Sequence, residues 1–373
     1  MDPIVRRIAR ELGAPDLLDR LIALPGSDLQ SLLLAVIRAR AAQVTPPDLV
    51  AAAARNRVVA PSIVDARRYH AVDGAAFAAA ADFDAIELSP VAPLGLDTRL
   101  GAISANNVLA TVRGSQVLAD PTTALTLEAA RRRRRDRTAV ARLCAAARVI
   151  RMQPLPPNEP LFSPHFKLFS LVTAGRDTGS FTFETGALHD QLAVYLRWFA
   201  SLAAHGITIA AVEIAISDTD AMRALLSAAG ATPEELAGLV HGYDADAGAP
   251  TLAARGLALP RTIELDRDLP GSSPDPTTRI ARRRLAAIAH DVIAPLSRDF
   301  PSAQFRLDGA RLAGLGYYAG PMIQLWLTTA DGASFPVGDG GFTTWTQTLL
   351  GDRKERLLTS GLGTELLLKR FAS

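Results

Sequence analysis

Apolar positions recur with a helical period from the first residues onward. Ile4, Val5, Ile8 and Leu12, then Leu17, Leu18, Leu21 and Ile22, mark one amphipathic face. Asp28 opens a longer helix to about Ala42, and Thr45-Pro46-Pro47-Asp48 caps another to about Arg55. Residues 1–62 therefore read as a helical N-terminal module, and 63–373 as a core domain. In the core the pattern predicts a helix over 63–82, a strand over Phe83 to Pro90, a loop-rich stretch over Pro93 to Gly114, a short strand at Val117 to Ala119 and a helix over Ala124 to Ala147. A strand over Ile207 to Ser217 follows, with helices over Thr219 to Ala229 and Pro233 to His241, a Gly/Pro/Asp-rich segment from Tyr243 to Pro276, and a helix from Asp275 to Ser297. About 218–300 thus reads as a helical and loop insertion. Strands are expected at Gln304–Asp308, Arg311–Tyr318, Met322–Thr329 and Ser334–Val337, with Asp331-Gly332 and Asp339-Gly340 as hairpin turns, and a closing helix over Leu357–Arg370. The fold class is α+β, an antiparallel sheet flanked by helices.

The stretch Arg148 to Leu196 organises the rest. A short apolar run ends in Arg151, and a loop holding Pro154, Pro156, Pro157, Pro160 and Pro164 follows. A second apolar run covers His165 to Ala174, then comes a turn at Gly175 to Gly179 and a helix from about Thr185 to Ala204. Proline keeps the loop out of helix, so the two runs read as an antiparallel hairpin. An arginine at the end of the first strand presents a planar fork suited to phosphate or carboxylate.

Composition changes little. The chain has 373 residues, 49% of them hydrophobic and 21% charged, with a formal charge of +2, so global charge points to no partner. The lone Cys144, in a helical pattern, has no intramolecular disulfide partner, which fits a reducing cytoplasm. No signal peptide and no apolar run long enough for a bilayer is expected. His165, His189, His205, His241 and His290 lack ligand spacing, so no metal site is expected, and neither a nucleophile elbow nor a P-loop is present. The arginines Arg131 to Arg135 and Arg137 circle a helix; without interleaved aromatics they read as a solvated face rather than a nucleic-acid surface. The loop polar residues Asn107 and Arg113 are read either as turn formers or as lining a site. His165 and Lys167 project from one face of their strand, either into a pocket or to solvent.

Four stretches in order resemble the catalytic core of class II aminoacyl-tRNA synthetases, in particular histidyl-tRNA synthetases. Arg151 falls at the motif 2 arginine, Phe83 to Pro90 (FDAIELSP) resembles the end of motif 1, GLGYYAG around Leu315 to Gly320 resembles the histidyl GLDYYTG strand, and Gly340-Gly341 followed by Gly361 to Arg370 resembles the double-glycine turn and motif 3 helix. The resemblance implies a pocket between the hairpin, the Tyr317-Tyr318 strand and the Gly340-Gly341 turn, in which ATP with magnesium and an amino acid meet. Arg151 would hold the α-phosphate there. Departures are marked: Leu366 stands at the motif 3 arginine, Ala313 at the histidyl-specific arginine with Arg311 nearby, and Leu168 and Val172 at the histidine contacts. The glutamate that receives the substrate amino group has no match; Asp120 is the nearest acid, also suited to capping a helix.

The resemblance therefore implies a paralogue, similar to the ATP phosphoribosyltransferase regulatory subunit, that does not charge tRNA. It would bind an amino acid or nucleotide in a regulatory or accessory role, using Arg151 with Arg113, Asn107, Asp120, His165, Lys167, Arg311, Tyr317, Tyr318, Gly340 and Gly341. The alternative is a tRNA-independent ligase that adenylates a non-histidine amino acid or another carboxylate. A homodimer through the motif 1 region and a protein partner docked on the N-terminal module are further expectations; no membrane partner is expected.

Overall fold

The computed structural model describes residues 2–101, 103–155, 162–232, 234–235, 252–254 and 256–372. The expected helix at 233–241 apart from residues 234–235, the 243–251 part of the Gly/Pro/Asp-rich segment and the prolines at 156, 157 and 160 lie outside them. The N-terminal helices are α1 (Pro3–Glu11), α2 (Leu17–Ala23), α3 (Gly26–Ala41) and α4 (Pro46–Arg55). Thr45 and Asp48 cap α4 reciprocally, as the Thr-Pro-Pro-Asp signal predicts. These helices bury little: Ile4, Leu12, Ile22, Leu49 and Val50 are exposed, and Ala9 is the one buried hydrophobic residue among them.

An eight-stranded sheet forms the body, in the order β1 (Asp84–Ala85), β4 (Ala141–Ile150), β5 (His165–Arg176), β10 (Glu355–Gly363), β9 (Ser334–Thr343), β8 (Pro321–Thr328), β6 (Ala211–Asp218), β7 (Ala303–Leu307). Pairing is antiparallel except at the two edges, where β1 joins β4 and β7 joins β6 in parallel. A separate ribbon pairs β2 (Val91–Pro93) with β3 (Ser115–Val117). One face of the large sheet is covered by α5 (Ala66–Ala79), α8 (Thr182–Ser201), α9 (Thr219–Ala228) and α10 (Pro276–Ile288), which with the apolar side of β5, β6, β8 and β10 form the main core. The other face carries α7 (Pro121–Arg135) over β4 and β5, α12 (Trp345–Leu350) over β10, and the β2–β3 ribbon against Val149, Phe166 and Leu168, leaving an open stretch over β5, β10 and β9. The single-turn α6 (Leu96–Arg99) lies beside α7, α11 (Ala294–Asp299) continues α10 through a π-helical turn, and α13 (Thr364–Arg370) ends the chain.

Several boundaries differ from the periodicity reading, for one recurring reason. The helix expected over 124–147 is α7 followed by β4, and Cys144 is a buried strand residue. Alanine favours helix by less than about 1 kcal/mol per residue, whereas β4 pairs with β5 along its whole length and is packed on both faces, Ala141, Leu143 and Ala145 beneath α7 and Cys144 toward the main core. Gly340 and Gly341 lie inside β9 rather than at a turn, so Asp339-Gly340 is no hairpin, while Asp331-Gly332 does join β8 to β9. The stretch 311–318 is a loop, not a strand. Leu357–Arg370 divides into β10 and the short α13, and of Phe83–Pro90 only Asp84–Ala85 pairs.

Candidate functional site

Antiparallel pairing places directly opposed residues on one face, and every second residue of a strand shares it. The register therefore builds the floor of a cleft on the open face. Ser170 of β5 opposes Gly361 of β10, Gly361 opposes Asp339 of β9, and Asp339 opposes Gln324 of β8. This row crosses four strands, roughly 14 Å at the usual strand spacing. Beside it run the row Val172, Thr359, Gly341, Met322 and the pair Leu168–Gly363. The cleft above has a volume of about 520 Å³. One wall is Arg151 with Asp120 and Thr122 at the start of α7, the opposite wall is the loop Ala313 to Tyr318, and Leu366 and Glu365 of α13 close one end.

Asp120 does two things. Its Oδ1 accepts from Thr122 N at 2.8 Å, capping α7, and its Oδ2 pairs with Arg151 Nη2 at 3.2 Å. Arg151 Nε also donates to Ala119 O at 2.9 Å, and the guanidinium lies over the Phe166 ring. Behind this wall Asp97, fully buried, accepts from Gln116 Nε2 and Thr123 Oγ1 at 2.6 Å each, and burial pushes its carboxyl above the usual range. The Pro93–Gly114 loop is thereby tied to α7 around one acid.

Gly314 of the opposite wall and Gly341 of the floor have one steric reason. The ring of Tyr318 lies on Gly341, where a Cβ would fall 2.5 Å from its Cδ1, and on Gly314, whose φ is +91°. Tyr318 is buried, and burial raises its phenol well above its ordinary pKa; its hydroxyl donates to Asp339 Oδ2 at 3.3 Å. Replacing Gly341 by alanine is expected to displace the ring and cost about 1–3 kcal/mol. Denaturant unfolding checks this, and an unchanged midpoint would mean that the ring does not depend on Gly341.

Of the residues singled out from sequence, Arg151, Asp120, Lys167, Tyr317 and Tyr318 line the cleft. Lys167 does so at the rim, its ammonium turned to the other face of the sheet and paired with Asp73 of α5. His165 shares that other face, with Nδ1 2.9 Å from Arg148 Nη1 and Nε2 2.6 Å from Ala60 O. Neither residue supplies a new polar contact inside the cleft, because the odd positions of β5 face α5. Gly340 likewise faces away, against Ser360. Arg311 clamps its own loop, donating to Ala313 O, Ile323 O and Asp339, and borders a neighbouring cleft of about 480 Å³ rather than this one. Asn107 contributes a backbone carbonyl to Met152 N, and neither Asn107 nor Arg113 is in the lining.

Sequence reading missed Ser170, Gln324, Thr359, Asp339 and Glu365. The signal for Ser170 was present, since it has the same parity as Leu168 and Val172. Glu365 accepts from Arg148 at 3.0 Å and Lys369 at 2.8 Å; burial raises its pKa, but Lys369, Tyr69 and Arg148 more than offset that and lower it. The connection from the N-terminal module passes here: Arg57 Nη2 donates to Phe162 O at 2.6 Å, and Ser62 Oγ donates to Glu365 at 3.3 Å. Among the described residues no cluster of three acids, histidines or cysteines suits a metal ion.

No protein-family model and no curated protein matches the chain in sequence. Solved structures do match in shape. An ATP phosphoribosyltransferase regulatory subunit/histidyl-tRNA synthetase from Bacillus halodurans superposes with a TM-score of 0.61 at 14% identity, covering 83% of this chain and 82% of that one. A histidine–tRNA ligase subunit from Alicyclobacillus acidocaldarius gives 0.59 at 16%, covering 83% and 95%, and a histidyl-tRNA synthetase from Nostoc gives 0.61 at 15%, covering 84% and 74%. The chain has the class II aminoacyl-tRNA synthetase-like fold, as the order of its motifs predicts. Identities this low establish the fold alone.

Proposed function

We propose that the cleft binds a small ligand, an amino acid or a nucleotide, and that the chain is a histidyl-tRNA-synthetase-like paralogue that does not charge tRNA and acts in a regulatory or accessory role. Leu366 carries this reading. It lines the cleft where the resemblance calls for the motif 3 arginine, so an apolar side chain stands in place of a stacking and phosphate-binding cation. Arg151 is the one arginine in the lining among the described residues, and Lys167 is held by Asp73. A triphosphate gathers several charges, and charge-assisted bonds from more than one fixed cation are what stabilise it during transfer. The lining acids do not fit a magnesium site, because Asp120, Asp339 and Glu365 are each taken by a cation. The likeness in shape to the Bacillus halodurans ATP phosphoribosyltransferase regulatory subunit/histidyl-tRNA synthetase supports the accessory role.

Arg151 itself favours a second reading, a tRNA-independent ligase that adenylates a carboxylate other than histidine. ATP–pyrophosphate exchange with the twenty amino acids separates the two, alongside calorimetric titration of magnesium ATP and of each amino acid. Binding without exchange is expected; exchange with any acid would overturn the regulatory reading. The exposed strand β1 and the exposed Val91 and Leu94 beyond it support a homodimer through the motif 1 region, and the exposed apolar residues of α1–α4 support a protein partner there. A monomer in sedimentation would remove the dimer. No described helix is long and apolar enough to cross a membrane, and the buried free thiol of Cys144 accords with a cytoplasmic setting.

A further inference from the structure

The row Ser170–Gly361–Asp339–Gln324 contains a group that the fold leaves without a use. Ser170 is fully buried, lines the cleft, and its Oγ has no hydrogen-bond partner among the described residues. A buried hydroxyl without a partner is destabilising, and alanine in its place would remove that penalty. Next to it Gly361 has no side chain; a Cβ there would lie 3.2 Å from Ser170 Oγ, so any side chain at 361 would crowd the hydroxyl and cover it from the cleft. At the far end of the row the amide of Gln324 reaches both this cleft and its neighbour and makes no hydrogen bond among the described residues.

The charges around this floor are all answered by the protein. Asp339 pairs with Arg311 at 3.3 Å and accepts from Tyr318, Glu365 is held by Lys369 and Arg148, and Lys167 by Asp73. A charged ligand group buried over Gly361 would find no counter-charge of its own and would bear the full desolvation cost. An uncharged group that hydrogen-bonds would find Ser170 on one side and Gln324 on the other.

We propose that Ser170, with Gln324 across the row, is a specificity-determining residue that selects a ligand whose buried end is an uncharged hydrogen-bonding group, the hydroxyl or carboxamide side chain of an amino acid, seated over Gly361. This rests on the ligand-binding reading of the cleft. It adds to it a class of side chain and the residue that recognises it. Arg151 lies over Phe166, four residues before Ser170 along β5, so about 13 Å separates the two ends. That span exceeds one amino acid and leaves room for a nucleotide-sized portion at the Arg151 end.

The test compares the wild type with Ser170→Ala on the full-length chain. Titrations use L-serine, L-threonine, L-asparagine and L-glutamine against L-lysine, L-arginine, L-aspartate and L-glutamate, each with and without magnesium ATP. The neutral polar set is expected to bind the wild type, with one member losing about tenfold in affinity in Ser170→Ala. The melting temperature of the free variant is expected to be unchanged or raised. A clear drop in that melting temperature would show a structural hydroxyl and overturn the proposal whether or not a ligand is found. Binding that Ser170→Ala retains, or preference for the charged set, would overturn the role of Ser170 while leaving the ligand-binding reading intact. No binding by the wild type to any probe would overturn the ligand-binding reading itself.

Discussion

Arg133→Ala is expected to lower the stability of the chain by about 3–5 kcal/mol, a drop in melting temperature of about 5 °C for a chain of 373 residues. Arg133 sits in the last turn of α7 and is buried, 1% exposed, against Glu355 at the start of β10, which is 0% exposed. Its Nε and Nη2 donate to the two carboxylate oxygens at 3.0 and 2.9 Å, and its Nη1 donates to Ala139 O. Alanine would leave Glu355 buried with only the distant guanidinium of Arg137, 3.8 Å away, and would open a cavity the length of an arginine. The cost comes from the orphaned charge more than from the lost attraction, so the double variant Arg133→Met with Glu355→Leu should recover most of the loss. Arg131, exposed and paired with Glu128 alone, should tolerate alanine with little change. Equal and small effects at both positions in calorimetry would mean that Arg133 is solvated like its neighbours.

The arginine run illustrates what the sequence could and could not convey. Five consecutive arginines must circle a helix, so one of them had to point inward, but sequence alone does not say which, because that depends on where Glu355 arrives from over two hundred residues away. The same non-local dependence explains Ala141–Ile150. Its alanines read as helix locally, and only the partner strand β5 makes them a strand. Gly340 and Gly341 read as a turn because glycine usually marks one; in β9 they are needed because Ser360 packs against one and the Tyr318 ring against the other. Motif order carried the fold correctly, since Arg151, the hairpin, the double glycine and the closing helix keep their sequence through any change of boundary. The cleft was legible at its ends, in Arg151, Asp120, Tyr317 and Tyr318, where chemistry resides in residue type. Its floor was not, because Ser170, Gly361, Asp339 and Gln324 become a unit only through the register of four strands.

Arg151→Ala and Asp120→Asn are expected to move ligand affinity in opposite directions. A charge-assisted hydrogen bond contributes about 1.5–3 kcal/mol, so removing the Arg151 guanidinium should weaken an anionic ligand roughly 10- to 150-fold. In the free protein that guanidinium is held by Asp120 Oδ2 and by Ala119 O, and a ligand carboxylate or phosphate has to compete with the first of these. Asparagine caps a helix about as well as aspartate, so Asp120→Asn should preserve the contact to Thr122 N and the start of α7. It would remove the competing charge, and affinity for an anion should rise several-fold. Calorimetric titration of magnesium ATP and of amino acids beside their C-terminal amides distinguishes which anion is held. Loss with Arg151→Ala for the acids but not for the amides would place a carboxylate on Arg151, and loss for ATP alone would place a phosphate there. If Asp120→Asn weakens binding instead, the carboxylate of Asp120 is itself a ligand contact, and it would meet an ammonium, as the acid nearest the substrate amino group would. If both variants bind as the wild type does, the Arg151–Asp120 pair is a structural brace for the start of α7, and recognition falls to the polar row on the floor.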